Sequence, residues 1–136
     1  MPDLEPHQSE FLALIGAKTE ELREDLVRIT LRLEERHTNP NGVMHGGVMT
    51  SLMDEAVGGV IAYARGLDVM RAAPHSTVDM NVSFLASVRA GDELIVEARP
   101  IKVGRSVAFA EAEARRGDGA VVGKGRFTFV IAAPRA

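Results

Sequence analysis

The chain has 136 residues, the length of a single domain spanning 1–136. Of these 46% are apolar and 26% charged, which excludes a disordered or low-complexity polymer and, on length, a TIM barrel of ~250 residues. It contains no cysteine, so a disulfide scaffold, a Cys-ligated zinc site and a thiol nucleophile are excluded. The net charge of −3 argues against a nucleic-acid partner, and no run of ~18 apolar residues is present to span a membrane.

Residues 1–22 are acidic, lack a basic start and carry one short apolar run from Phe11 to Ile15. They make a poor signal peptide, and a cytoplasmic location is expected. Residues 8–16 are predicted as a short amphipathic helix, with Phe11, Leu12, Leu14 and Ile15 on one side and Gly16 as its stop. From Val27 the period drops to two. Val27, Ile29, Leu31 and Leu33 alternate with Arg28, Thr30, Arg32 and Glu34, the pattern of a half-buried strand. Residues 37–47 break all periodicity around the turn-formers Pro40, Asn41 and Gly42. A second helix begins at Gly47. Met49, Leu52, Met53, Ala56, Val57, Val60, Ile61 and Ala64 keep helical spacing, and the other face is only weakly polar, so this helix is predicted to be buried.

The remainder reads as strands. Val78, Met80, Val82 and Phe84 alternate with Asp79, Asn81 and Ser83. Turns at 90–92, 104–105 and 117–119 then separate three further strand patterns, a meander. One long apolar helix and about five antiparallel strands sharing one core predict an α+β fold, with the helix laid across the concave face of a curved sheet.

The most unusual stretch is His45-Gly46-Gly47 before the long helix. Backbone N–H groups there lack intrahelical acceptors, and the glycines allow close approach. This suits an oxyanion hole, or simply a tight turn. Asp54 is a carboxylate among apolar neighbours, which is costly unless it is partnered, functional or turned to solvent. Glu55 is about 100° further round the helix, so the two acids are not expected to serve one site. Gly58 and Gly59 suggest close approach by another backbone, a partner subunit included. Thr77 and Asp79 are expected on one strand face. Lys102, Arg105, Arg115, Arg116, Lys124 and Arg126 form either a solvated sheet face or a landing patch for phosphates. The Gly104-Arg105-Ser106 turn is the best local candidate for that patch, with Gly104 expected at positive φ. The four histidines show no HxxxH or HExxH spacing, so no metal site is expected. GxSxG, GxxxxGK[ST] and GxGxxG patterns are absent.

TNPNGVMHGGVMTSLMDEA, then STVDMNVSFLASVRAGDELIVEARPIKVGRSVAFAEAEA and GKGRFTFVI, resemble the hotdog-fold acyl-CoA thioesterases of the PaaI-like and Them2-like group from about Leu22 to Ile131. The resemblance rests on HGG with an acid nine residues after its His, supported by the VDMNVSFL and VGRSVAF segments in the same order. It implies a five-stranded antiparallel sheet wrapped round the long helix. It also implies a homodimer, pairing again into a homotetramer, with active sites at the dimer interface. The Gly46 N–H would hold the thioester carbonyl, assisted by Asn39, six residues before the His. His45 and Gly47 would complete the substrate-binding turn. Asp54 would come from the other protomer, and Thr77 would orient the attacking water. The implied substrate is an acyl- or aryl-CoA, with no cofactor, since coenzyme A is part of the substrate. The enoyl-CoA hydratases of this fold carry a His five residues after the Asp. Gly59 stands at that offset here, which disfavours hydration. Met44, Met49, Met53 and Met80 suit an acyl tail or plain core. The alternative function is a non-catalytic acyl-CoA-binding or regulatory hotdog protein.

Overall fold

The computed structural model describes residues 9–133. Ser9 caps a short helix, α1 (Glu10–Ile15), by accepting the Leu12 N–H on its hydroxyl at 3.0 Å, and Gly16 ends it in the left-handed conformation at φ 89°. Of the four apolar residues expected on one side of α1, only Leu12 is buried, and Phe11 and Leu14 are exposed.

Among the described residues six antiparallel strands form one sheet. They are β1 (Lys18–Leu22), β2 (Val27–Arg32), β3 (His75–Phe84), β4 (Glu93–Val103), β5 (Val107–Arg116) and β6 (Val121–Ile131), in the order β1-β2-β4-β5-β6-β3. The expected count of five omits β1. Its sequence KTEEL has no apolar alternation, because the strand lies at the sheet edge and is held by backbone pairing to β2. Its charged side chains keep that edge from recruiting another strand.

The long helix α2 (Gly46–Arg65) crosses the sheet. Its residues Met49, Leu52, Met53, Ala56, Val57, Val60 and Ile61 are fully buried as the spacing requires, whereas Ala64 is exposed. Gly123 and Gly125 of β6 make room for it. A Cβ on Gly123 would collide with the Met49 sulfur, and one on Gly125 would lie 3.1 Å from the Met53 sulfur. These two methionines are therefore core. A short helix, α3 (Leu67–Ala72), with no buried residue, links α2 to β3.

β3 is the other sheet edge. Its register slips at Val78: Thr77 pairs with Phe129, and Asp79 already pairs with Thr128. The bulge reverses the expected alternation. Directly paired residues share a face, so Thr77 lies with buried Phe129 on the helix side and Asp79 on the far side. Thr77 and Asp79 do not share a face, contrary to the spacing argument. Met80, Val82 and Phe84 then realign with Phe127, Gly125 and Gly123.

Candidate active site

The first turn of α2 follows from its cap. His45 accepts the Gly47 N–H on Nδ1 at 2.8 Å and the Val48 N–H on its carbonyl at 2.9 Å. Among the described residues no acceptor takes the Gly46 N–H, so it is the donor left over at the positive end of the helix. Gly46 lines a cleft of about 360 Å3 with Met44, Phe84 and Val88, and a Cβ there would stand 3.2 Å from the Phe84 ring. Asn39 is half-buried in the preceding loop. Its Oδ1 accepts the Asn41 N–H at 2.9 Å and the Val43 N–H at 3.4 Å, which shapes the turn and leaves the amide NH2 as donor.

Eight residues further along α2, Asp54 is half-buried, neither sealed in the core nor turned fully to solvent. Thr77 donates its hydroxyl to Asp54 Oδ1 at 2.7 Å. Both line a second cleft of about 260 Å3, walled by Gly58, Ala62, Met70 and Phe129. Glu55 lines this same cleft, which corrects the expectation that the two acids are kept apart; the cleft wraps far enough round the helix to include both. The Glu55 carboxylate, however, accepts the Ser9 hydroxyl at 2.7 Å and so anchors α1. Of the two glycines expected to admit another backbone, Gly59 instead packs against side chains of its own chain, and Gly58 is open. A Cβ on Gly59 would meet Val27 and Leu22 of its own chain, and one on Gly58 would face open space in the cleft.

Nothing in the sequence spacing marks His75 as a site residue. Nε2 lies 3.0 Å from the Gly58 carbonyl, Nδ1 lies 2.9 Å from an Arg65 nitrogen, and the ring meets Phe129 edge-on. Burial pushes the His75 pKa below the ordinary histidine value. The Gly58 hydrogen bond opposes that shift and the neighbouring Arg65 charge adds to it.

At the β4–β5 turn, Gly104 does not have positive φ. Glycine is needed there because a Cβ would lie 2.7 Å from the Val107 carbonyl, which accepts the Gly104 N–H at 2.9 Å. That N–H is therefore not available to a phosphate. Arg105 and Ser106 are exposed, and among the described residues Arg105 has no ion pair. The turn sits at the Thr77 end of the sheet, since the Ser106 carbonyl accepts the Ile131 N–H and Ile131 pairs with His75. Three of the other basic residues behave as a solvated face: Arg115 and Lys124 pair with Glu113, and Arg116 with Asp118. Among the described residues no cluster of His, Asp and Glu could hold a metal, and no helix is long and apolar enough to cross a membrane.

Mouse acyl-coenzyme A thioesterase 13 is 31% identical over 99 residues, covering 72% of this chain and 67% of that protein. The structure of a conserved protein from Pseudomonas aeruginosa superposes with a TM-score of 0.85 over 96% of this chain and 99% of that one, at 31% identity. A hypothetical thioesterase from Streptococcus pneumoniae, solved with coenzyme A, shares the fold with a TM-score of 0.77 over 88% of each chain, at 21% identity. Residues 41–123, which hold Gly46, Asp54 and Thr77, match the family model described as the thioesterase superfamily, and the chain belongs to that family.

Proposed function

We propose that this protein hydrolyses acyl-CoA thioesters to a free acid and coenzyme A. The observation that carries this reading is the Thr77–Asp54 hydrogen bond at 2.7 Å in an open cleft. Thr77 occupies Oδ1, which leaves Oδ2 to take a proton from a water while the Thr77 oxygen accepts from the same water. The resulting hydroxide attacks the thioester carbonyl carbon. The oxyanion is met by the Gly46 N–H and the Asn39 amide. The C–S bond breaks, and the proton held by Asp54 passes to the departing thiolate. No serine triad is needed, because a thiolate leaves readily.

The resemblance assigns Gly46 and Asn39 to one protomer and Asp54 to the other, and the hydrogen bond to Asp54 keeps Thr77 with it. The exposed apolar side chains along the unpaired edge of β3, Val78, Met80 and Phe84, support pairing of that edge with a second copy. We assign the coenzyme A phosphates to Arg105 and Ser106, and the acyl group to the wall of Gly58, Ala62, Met70 and Phe129.

The test is thiol release from a panel of alkyl- and aryl-CoA substrates by the wild type and by Asp54→Asn. Turnover that falls at least ~100-fold in a folded Asp54→Asn protein is expected. Tight acyl-CoA binding without turnover by the wild type would instead identify a binding protein.

A further inference from the structure

We propose that His75 is a positioning residue for this reaction: it clamps β3 to α2 one helical turn beyond Asp54 and thereby fixes Thr77 against the catalytic carboxylate. The inference rests on the thioesterase reading. Asp54 and Gly58 are four residues apart and so lie on one helix face. His75 and Thr77 are two apart, before the bulge, and so lie on one strand face. Two parallel side-chain links therefore join the same pair of elements, Thr77 to Asp54 Oδ1 at 2.7 Å and His75 Nε2 to the Gly58 carbonyl at 3.0 Å.

The clamp has work to do because of where β3 lies. Within the protomer the strand is at the sheet edge and is paired to β6 alone, and its register slips immediately after Thr77. Residues 75–77 pair only with Phe129 to Ile131, near the end of β6. A displacement of about 1 Å at such a site can cost ~100-fold in rate.

The partners also fix the state of the ring. A guanidinium can only donate, so Nδ1 facing Arg65 at 2.9 Å must be an acceptor. A carbonyl can only accept, so Nε2 carries the proton. The clamp is the neutral imidazole. Arg65 is itself anchored, donating to the Ala73 carbonyl at 2.6 Å. Protonating Nδ1 would set N–H against N–H and charge against charge, and the clamp would open. The other ionisable groups facing the cleft are Asp54, Glu55 and Tyr63 of α2; α3 offers Met70 and β6 offers the Phe129 ring. Burial and Arg65 keep the ring neutral against those carboxylates.

The experiment compares His75→Phe, His75→Gln and Arg65→Gln with the wild type. It measures kcat and KM for an acyl-CoA that the wild type hydrolyses, kcat against pH, and the ring 15N signals of His75 in the substrate-free protein. His75→Phe should lower kcat by about 10- to 100-fold with KM within about threefold, the mark of lost transition-state geometry. His75→Gln, which both donates and accepts, should recover kcat to within about threefold of the wild type and lose the histidine component of the acid limb. Arg65→Gln should move that limb to higher pH. It decides the matter if His75→Phe does not fold. A folded His75→Phe protein with wild-type kcat, or an acid limb unmoved in Arg65→Gln, would overturn the proposal. So would a ring that is Nδ1-protonated at neutral pH. If the wild type hydrolyses no acyl-CoA, the thioesterase reading fails by itself, and the 15N signals still report whether the clamp exists.

Discussion

Replacing Thr77 with valine isolates the contribution of one hydroxyl, because valine keeps the shape of threonine and its preference for a strand. In the wild type that hydroxyl donates to Asp54 Oδ1 at 2.7 Å, a short bond to an ionised acceptor. Such bonds contribute about 1.5–3 kcal/mol, and each 1.36 kcal/mol is tenfold in rate, so kcat should fall about 10- to 150-fold. Folding stability should change far less, by about 1 kcal/mol or under. Thr77 and Asp54 are both only half-buried, and a water can take the vacated donor position. Thr77→Ser retains the hydroxyl and should stay within several-fold of the wild type. The assay is thiol release under saturating acyl-CoA, with urea unfolding of each variant alongside. A Thr77→Val protein of normal stability with kcat within twofold of the wild type would refute the role given to this hydrogen bond.

Mixing equal amounts of the inactive Asp54→Asn protein and an inactive Asn39→Ala protein should restore up to about a quarter of the wild-type activity at equilibrium, because about half of the dimers are then hybrids and one of the two sites in each hybrid inherits both intact sides; no recovery after demonstrated subunit exchange would contradict a shared site. Gly123→Ala should destabilise the fold by about 1–3 kcal/mol in urea titrations, since the new methyl meets the buried Met49 sulfur. His75 has a folded-state pKa below its unfolded value, so the unfolded chain binds the extra proton first. Its contribution to stability is whole above about pH 6.5, falls as pH drops through the window below that, and levels off under the folded-state pKa. His75→Gln should remove this component from melting temperatures measured between pH 5 and 8. Arg105→Ala should raise KM for acyl-CoA at unchanged kcat, less so at high salt, and not at all for a truncated thioester lacking the nucleotide.

How much of this could be read from the residues depends on what each element uses to hold its place. α2 was legible because burial alone fixes it: the seven residues from Met49 to Ile61 at helical spacing are the ones the sheet covers. β2 was legible for the same reason, through alternation. β1 and α3 were not. The first is a polar edge strand made by backbone pairing, and the second buries nothing, so neither leaves an apolar signature. The site divides in the same way. HGG and the acid nine residues on lie in one helix and its cap, so a local motif displays them. The bulge at Val78 is invisible, because TVDMNVSF alternates cleanly through it, and it reversed the face assigned to Asp79. The Arg65–His75–Gly58 contacts join residues up to 17 apart through tertiary packing, and no spacing rule encodes them.

The shared site proposed above is supported by lengths within the single chain. Gly46 and Asp54 are eight residues apart on one helix, about 12 Å along its axis at 1.5 Å per residue. They open into different clefts with no lining residue in common. A thioester carbonyl has its attacking water about 3 Å from the carbon and its oxyanion donor about 3 Å from the oxygen. One such carbonyl cannot meet both ends of this helix. β3 runs between them, with Phe84 against Gly46 at one end and Thr77 bonded to Asp54 near the other. Antiparallel pairing of this edge with its own copy would set the Phe84 end of one strand beside the Thr77 end of its partner. The Gly46 cleft of one chain would then face the Asp54 cleft of the other, twice by symmetry. In the shared site proposed above, the two-fold β3 interface would bring together groups that lie about 12 Å apart along α2 within one chain.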